Sequence, residues 1–155
     1  MTACSFEKDA NAEILFDKAE VSYTGDEQIV MLHHKRIKIF NDKGIDAASV
    51  RIVYFGAHKD EVISDVEAET INLTQNKIEY TIIDPKLIYT QNIDKDKKAI
   101  AFTFPNVKAG SVIEFKYRWK TSYPTNHPDW IFQSLIPTRY SEFQGNIIQI
   151  SQLEL

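Results

Sequence analysis

The strongest constraint on the fold is a two-residue period running through residues 100–119. Ile100, Phe102 and Phe104 fall on one side of it. Past a turn at 106–111 so do Ile113, Phe115, Tyr117 and Trp119, leaving Glu114, Lys116 and Arg118 on the other side. Successive side chains of a strand point to opposite faces, so this spacing gathers the apolar residues on one buried face. Two such runs joined by turn-forming residues predict a half-buried antiparallel hairpin at the centre of the core. The stretch continues to Phe143 and carries both tryptophans and four of the five prolines, so it is expected to fix the core.

The remainder reads as strand after strand. Residues 12–16 and 19–23 are short strand candidates, closed by the turn signal Thr24-Gly25-Asp26. In 28–40, Ile29, Met31, His33, Lys35, Ile37 and Ile39 alternate with Val30, Leu32, His34, Arg36, Lys38 and Phe40. Both faces are apolar at the ends and polar in the middle, as in a strand that enters and leaves a core, with a bend or exposed centre at 33–36. Asn41-Asp42-Lys43-Gly44 marks a turn in which Gly44 accepts positive φ, and 50–55 resumes as a strand. Residues 59–73 have charges compatible with a helix, but a period of two fits at least as well and predicts a strand with an acidic face. A turn at 74–77 leads to a strand at 78–83, Pro85 opens a short helical turn within 85–91, and 93–98 is a charged loop. After Trp119, 121–129 reads as a loop. Trp130-Ile131-Phe132 begins a strand that Pro137 closes, and a last strand follows at 146–150. Short strands, frequent turns and no long helix predict an all-β fold, an antiparallel β-sandwich that is jelly-roll-like or related, as a single domain over 1–155.

Length and charge bound the function. A chain of 155 residues suits one core, since a domain of that size buries roughly 70% of its unfolded surface. The net charge of -4 argues against a nucleic-acid binder, which needs a basic face to neutralise phosphates, and the basic patch at 33–36 is too short to reverse that. No window approaches the roughly 20 apolar residues of a membrane helix, and the N-terminus lacks a signal-peptide pattern. The single cysteine, Cys4, cannot form an internal disulfide, and its neighbours offer no helix N-terminus to activate it as a nucleophile. The chain stops within IIQISQLEL, which reads as a strand in progress and suggests an N-terminal fragment of a larger protein.

Four groupings bear on chemistry. His33 and His34, with His58 and His127, suggest zinc, but adjacent strand residues face opposite ways and do not share an ion, so no metal site is expected. The acidic face of Asp60, Glu61, Asp65, Glu67 and Glu69 lacks the glycine-containing loop of a calcium site and reads as solvated. The segment carrying Tyr123, Pro124, His127, Trp130 and Phe132, followed by Tyr140 and Phe143, offers aromatic faces for a sugar ring or a peptide. Tyr123, His127 and Trp130 are therefore the candidate binding residues, with burial in the core as the competing reading. There is no phosphate loop, no GxSxG elbow and no HExxH pair, so neither catalytic residues nor a cofactor are expected, and the chain alone is not expected to be an enzyme.

The order AEILFDKAEVSY, HHKRIKIFNDKGID, AETINLTQNKIEY, IAFTFPNVKAGSVIEFKY and YPTNHPDWIFQSLIPTRYSEF resembles the uncharacterised all-β domain that precedes a transglutaminase-like domain in large exported bacterial proteins. The resemblance covers residues 10–143, and its most specific pieces are RIKIFNDKG, FPNVKAGSVIEFKY and residues 130–137 with the SEF triplet after them. It implies an all-β module, a periplasmic or secreted parent protein, and a papain-like Cys-His-Asp centre downstream; no member of that triad maps onto this chain. The expected function is a non-catalytic accessory module that docks to or positions the transglutaminase-like domain, its expected partner. The alternative is a glycan- or peptide-binding module using the loop from Tyr123 to Trp130.

Overall fold

The computed structural model describes residues 1–24, 28–56, 61–123 and 129–146. Among these residues the strands are β1 (Ala12–Tyr23), β2 (Ile29–Ile39), β3 (Ser49–Tyr54), β4 (Glu61–Thr74), β5 (Lys77–Ile82), β6 (Tyr89–Asn92), β7 (Lys98–Thr103), β8 (Val112–Thr121) and β9 (Ser141–Gly145). They form a six-stranded sheet in the order β5-β4-β8-β2-β1-β9 and a three-stranded sheet in the order β3-β7-β6. β9 runs parallel to β1, and the other neighbours are antiparallel. The expected all-β sandwich is what forms, and helix among the described residues is limited to 3-10 segments at Asp42–Ala48 and Pro85–Leu87.

The central hairpin does not form. β7 pairs with β3 and β6, whereas β8 lies between β2 and β4 in the other sheet. The apolar faces predicted for both runs are correct, but they meet across the sandwich instead of side by side. Phe102 on β7 packs edge to face on Phe115 of β8, with ring centroids 5.9 Å apart. The connection crosses between layers through Asn106 at φ 55 and Gly110 at φ 90, and positive φ at Gly110 carries no Cβ penalty.

Two bulges set which residues face inward. Ile14 pairs with Ile37 and Phe16 with Arg36, so Leu15 is an extra residue and 12–23 is one kinked strand, not the two expected. In β4 the register shifts between Ser64 and Glu67, at an Asp65 held at φ 53, a conformation aspartate tolerates better than most residues. The shift places Glu61 inward, opposite Thr121 and buried, while Glu67 faces out. The acidic residues of this strand therefore do not share one face.

Asn41 caps the first 3-10 segment, its side chain accepting from the Lys43 N–H at 3.0 Å. Gly44 is needed there for proximity: a Cβ would sit 2.2 Å from the Asn11 carbonyl oxygen. The strand expected from Trp130 is absent. Residues 129–140 cross the end of β1 with single backbone bonds, such as Ile14 N–H to Pro137 O and Asp17 N–H to Tyr140 O, both 2.9 Å. Isolated bonds of this kind build no ladder, and the last described strand is β9; most of the strand expected at 146–150 lies outside the described residues.

Two apolar clusters lie against the inner face of the large sheet. One contains Ile14, Ile37, Ile39, Phe102, Phe104, Ile113 and Phe115, the other Ala19, Val21, Ile29, Met31 and Trp119. Between them, on the same inward face, lies a group of polar side chains.

Candidate functional site

His33 and Lys35 share the inward phase of Met31 and Ile37 on β2, so an unbroken strand must carry both beneath the second sheet. Their partners come from the neighbouring strands. Asp17 stands opposite Lys35 on β1, two residues along from the Ala19–His33 pair and so on the same face, and Tyr117 stands opposite His33 on β8. Asp17 receives His33 Nε2 on one carboxylate oxygen and Lys35 Nζ on the other, both at 2.5 Å. His33 Nδ1 lies 2.8 Å from the Tyr117 hydroxyl. With Nε2–H donating to Asp17, Nδ1 is an acceptor and the Tyr117 O–H donates to it, so the chain of bonds is complete.

Burial opposes ionisation of Asp17, but the His33 hydrogen bond and the Lys35 charge outweigh it and hold the carboxyl below the usual aspartate range. Burial, and then the Asp17 charge, push the Tyr117 hydroxyl well above the ordinary tyrosine value. A cavity of about 390 Å³ between the sheets, lined by His33, Lys35, Ile52, Phe115 and Tyr117 among others, opens beside the group. The cluster resembles a hydrolytic relay only in its Asp-His half. Among the described residues no serine, threonine or cysteine bonds to His33, so the position of a nucleophile is taken by a phenol that burial keeps protonated.

What the cluster does hold is Trp130. The indole stands edge-on to His33 at 5.3 Å, tilted against Phe143 at 5.5 Å, and donates from Nε1 to Ser141 Oγ at 3.1 Å. Just beyond this anchor the chain turns outward: Ile131 is 72% exposed, Phe132 56% and Leu135 fully so.

Of the predicted binding residues, Trp130 is thus packed inward. Tyr123 is about half exposed just past β8, its N–H donating to Thr121 Oγ1 at 3.2 Å. His127 lies outside the described residues. His33 and His34 do face opposite ways: His34 is on the solvated face, 2.5 Å from Glu114. Among the described residues no group of three or more His, Cys, Asp or Glu is placed to hold a metal ion, and no helix is long and apolar enough to cross a membrane.

Two other concavities frame this site. A cleft of about 320 Å³ at one end of the sandwich is lined by Tyr54, Phe55, Glu61, Lys97, Trp119 and Asp129, among others. A wider depression, about 660 Å³, lies on the outer face. Several of its charges are already spent on each other, Lys116 with Glu67 at 3.0 Å and Lys18 with Glu142 at 3.7 Å, which leaves it a solvated ion-pair surface. Asp17, Lys35 and Tyr117 were not singled out from the sequence. The signal that points to them is two polar residues, His33 and Lys35, in phase with buried aliphatics, because such groups need inward partners.

No curated protein matches the chain. Among solved structures it is similar to a chain described as a "putative protease" from Parabacteroides distasonis ATCC 8503, with a TM-score of 0.62 at 12% identity. The match covers 76% of this chain and 24% of that one, so the chain spans about a quarter of the length of that relative, and the likeness is one of fold. A family model described as "Domain of Unknown Function with solved-structure structure (DUF3857)" matches residues 26–147. Those residues run from just before β2 to just past β9 and include most of the sandwich and the whole Trp130 anchor, and the chain belongs to the DUF3857 family.

Proposed function

We propose that this domain is a non-catalytic accessory module of an exported transglutaminase-like, cysteine-peptidase-like protein, and that it docks to and positions the catalytic domain. The observation that carries this reading is the construction of residues 129–140. Trp130 is partly buried and held by His33, Phe143 and Ser141, so the exposed Ile131, Phe132 and Leu135 follow directly on an anchored residue. Apolar side chains grouped in water beside an anchored residue are the usual mark of a covered surface. Two further points support it: a fold shared with a chain described as a "putative protease", of which it spans 24%, and the motifs that resemble the domain preceding transglutaminase-like domains. A periplasmic or secreted location belongs to the same proposal.

The end cleft favours a second reading, a glycan- or peptide-binding module. Tyr54, Phe55 and Trp119 there surround Glu61, Lys97 and Asp129, which is the mixture of aromatic walls and few polar groups that such ligands use. Calorimetric titration with the separately expressed transglutaminase-like domain, and then with peptidoglycan fragments, separates the two. Saturable binding to that domain, lost in a folded Ile131→Asp/Leu135→Asp variant, supports docking. Absence of binding, or saturation by the glycan instead, overturns it.

A further inference from the structure

β5 is one edge of the six-stranded sheet. Its backbone direction follows from one bond: the Ile83 N–H donates to the Ala68 carbonyl at 2.9 Å. In an antiparallel ladder alternate residues face the partner, so Thr81, Glu79 and Lys77, in phase with Ile83, bond to β4. Ile78, Tyr80 and Ile82 turn their N–H and C=O groups away from the sheet. The β4–β5 turn agrees, since Gln75 and Asn76 at φ 49 and 61 make a two-residue loop closed by the Thr74–Lys77 pair. Among the described residues no backbone bond reaches the outward groups of this edge.

The same three residues hold their side chains in water, Ile78 at 62%, Tyr80 at 61% and Ile82 at 72% exposure. Exposed Leu73 stands opposite Ile78, and half-buried Ile71 opposite Tyr80, which makes an apolar ladder beside an open edge. Natural sheet edges are blunted by proline, a bulge or charge. Between 78 and 82 this edge has no proline and no bulge, and its one charge, Glu79, is on the other face.

We propose that β5 is the interface of a homodimer, in which two copies of the strand pair antiparallel across a two-fold axis at Tyr80 and join their sheets into one. The occupant follows from register. Only outward-facing residues can exchange bonds across the new ladder, so 78, 80 and 82 must pair among themselves. Centred on Tyr80, the pairing sets Ile78 against Ile82 of the second copy and Tyr80 against its own image, using every open group. On the opposite face it sets Glu79 against Thr81. Centring on Glu79 would oppose two carboxylates, and centring on Thr81 would set Ile78 against Asp84 and bring in Pro85, which has no N–H. The strand thus complements itself in a single register. Among the described residues the other edge of the sheet, β9, is Ser-Glu-Phe-Gln-Gly and has no matching apolar row, so this self-pairing closes at two copies. A strand pair of this length lies at the small end of specific interfaces, so the association is expected to be weak and concentration-dependent.

Sedimentation velocity of the chain from roughly 1 to roughly 300 µM tests this. A reversible doubling of mass is expected. Tyr80→Lys places two ammonium groups on the axis and keeps the protein monomeric throughout with an unchanged circular dichroism spectrum. Val53→Lys, at a comparably exposed position on the three-stranded sheet, leaves association intact. Should Tyr80→Lys fail to fold, Tyr80→Cys provides the second measurement, because a hydrogen-bonded antiparallel pair separates its Cα atoms by about 5.5 Å and accepts a disulfide. A monomer at every concentration, association that survives a folded Tyr80→Lys, or a Tyr80→Cys protein that does not cross-link overturns the proposal.

Discussion

Replacing Asp17 by asparagine preserves the shape of the side chain and removes the charge to which Lys35 and His33 are bonded. The carboxylate is 9% exposed, and the side chains of Lys35 and His33 are 20% and 11% exposed. Breaking a buried pair by removing one partner costs ~3–5 kcal/mol, because the other is left desolvated and uncompensated. The Lys35 ammonium recovers some hydration through the adjoining cavity, which lowers the expected loss to ~2–4 kcal/mol. In a chain of this length that is a fall in Tm of roughly 5–15 °C. Urea unfolding followed by tryptophan fluorescence, for Asp17→Asn, Lys35→Met and the double variant, measures it. The double variant retains no orphaned charge and should be more stable than the sum of the single losses allows.

Acid supplies an independent check on the same pair. Asp17 titrates below its ordinary value in the folded protein, so the unfolded chain binds its proton more tightly. Its stabilising contribution is complete above pH about 4 and is lost as pH falls through the lower folded value. The stability gap between the native protein and Asp17→Asn should therefore close on acidification below about pH 4. A loss under ~0.5 kcal/mol at neutral pH, or a strictly additive double variant, would refute the account of the cluster.

Three further outcomes are expected. Phe102→Ala removes a side chain that is 2% exposed and packed on Phe104 and Phe115, and should cost ~3–5 kcal/mol by chemical denaturation. Gly44→Ala drives a methyl group to 2.2 Å from the Asn11 carbonyl oxygen and should cost ~2–4 kcal/mol, with the 3-10 segment displaced. Tyr117 ionises above its ordinary value in the folded state, so its contribution is complete below pH about 10 and is lost as pH rises through the higher folded value. Alkaline difference absorbance of the folded protein should then be nearly the same for the native chain and Tyr117→Phe until the native chain unfolds.

Strand positions and faces were legible because period two is a local property. The runs at 28–40, 50–55 and 59–73 became β2, β3 and β4 with ends shifted by a few residues. Which sheet a strand joins is not local. The Ile100–Phe104 and Ile113–Trp119 runs have the spacing of a hairpin, yet alternation records only which side is apolar, and it suits facing layers equally well. A bulge is similarly silent: the extra residue at Asp65 reverses the phase of β4, so Glu61 is buried while Glu67 is not. The polar centre of β2 was visible as His33-His34-Lys35-Arg36 and read as a solvated or partly buried basic centre, but its countercharge could not be seen, because Asp17 lies on another strand. Trp130 stood out as an aromatic, and whether it faces a ligand or the interior depends on His33, Ser141 and Phe143, which only the fold brings beside it.

The parallel pairing of β9 with β1 has a kinetic consequence. Asp17 lies beside Ser141, and Arg139 reaches back to the fully buried Glu13, so the first strand meets its last neighbour across nearly the whole chain. Closing a loop of that length carries an entropy penalty that no local contact offsets beforehand, which makes this the slow class of β-topology. During synthesis at roughly 5–20 residues per second, one edge of β1 waits on the order of ten seconds for β9 to leave the ribosome. Over that interval the buried side of β1 and the Trp130 anchor are absent from each other, and the nascent domain depends on whatever shields that edge.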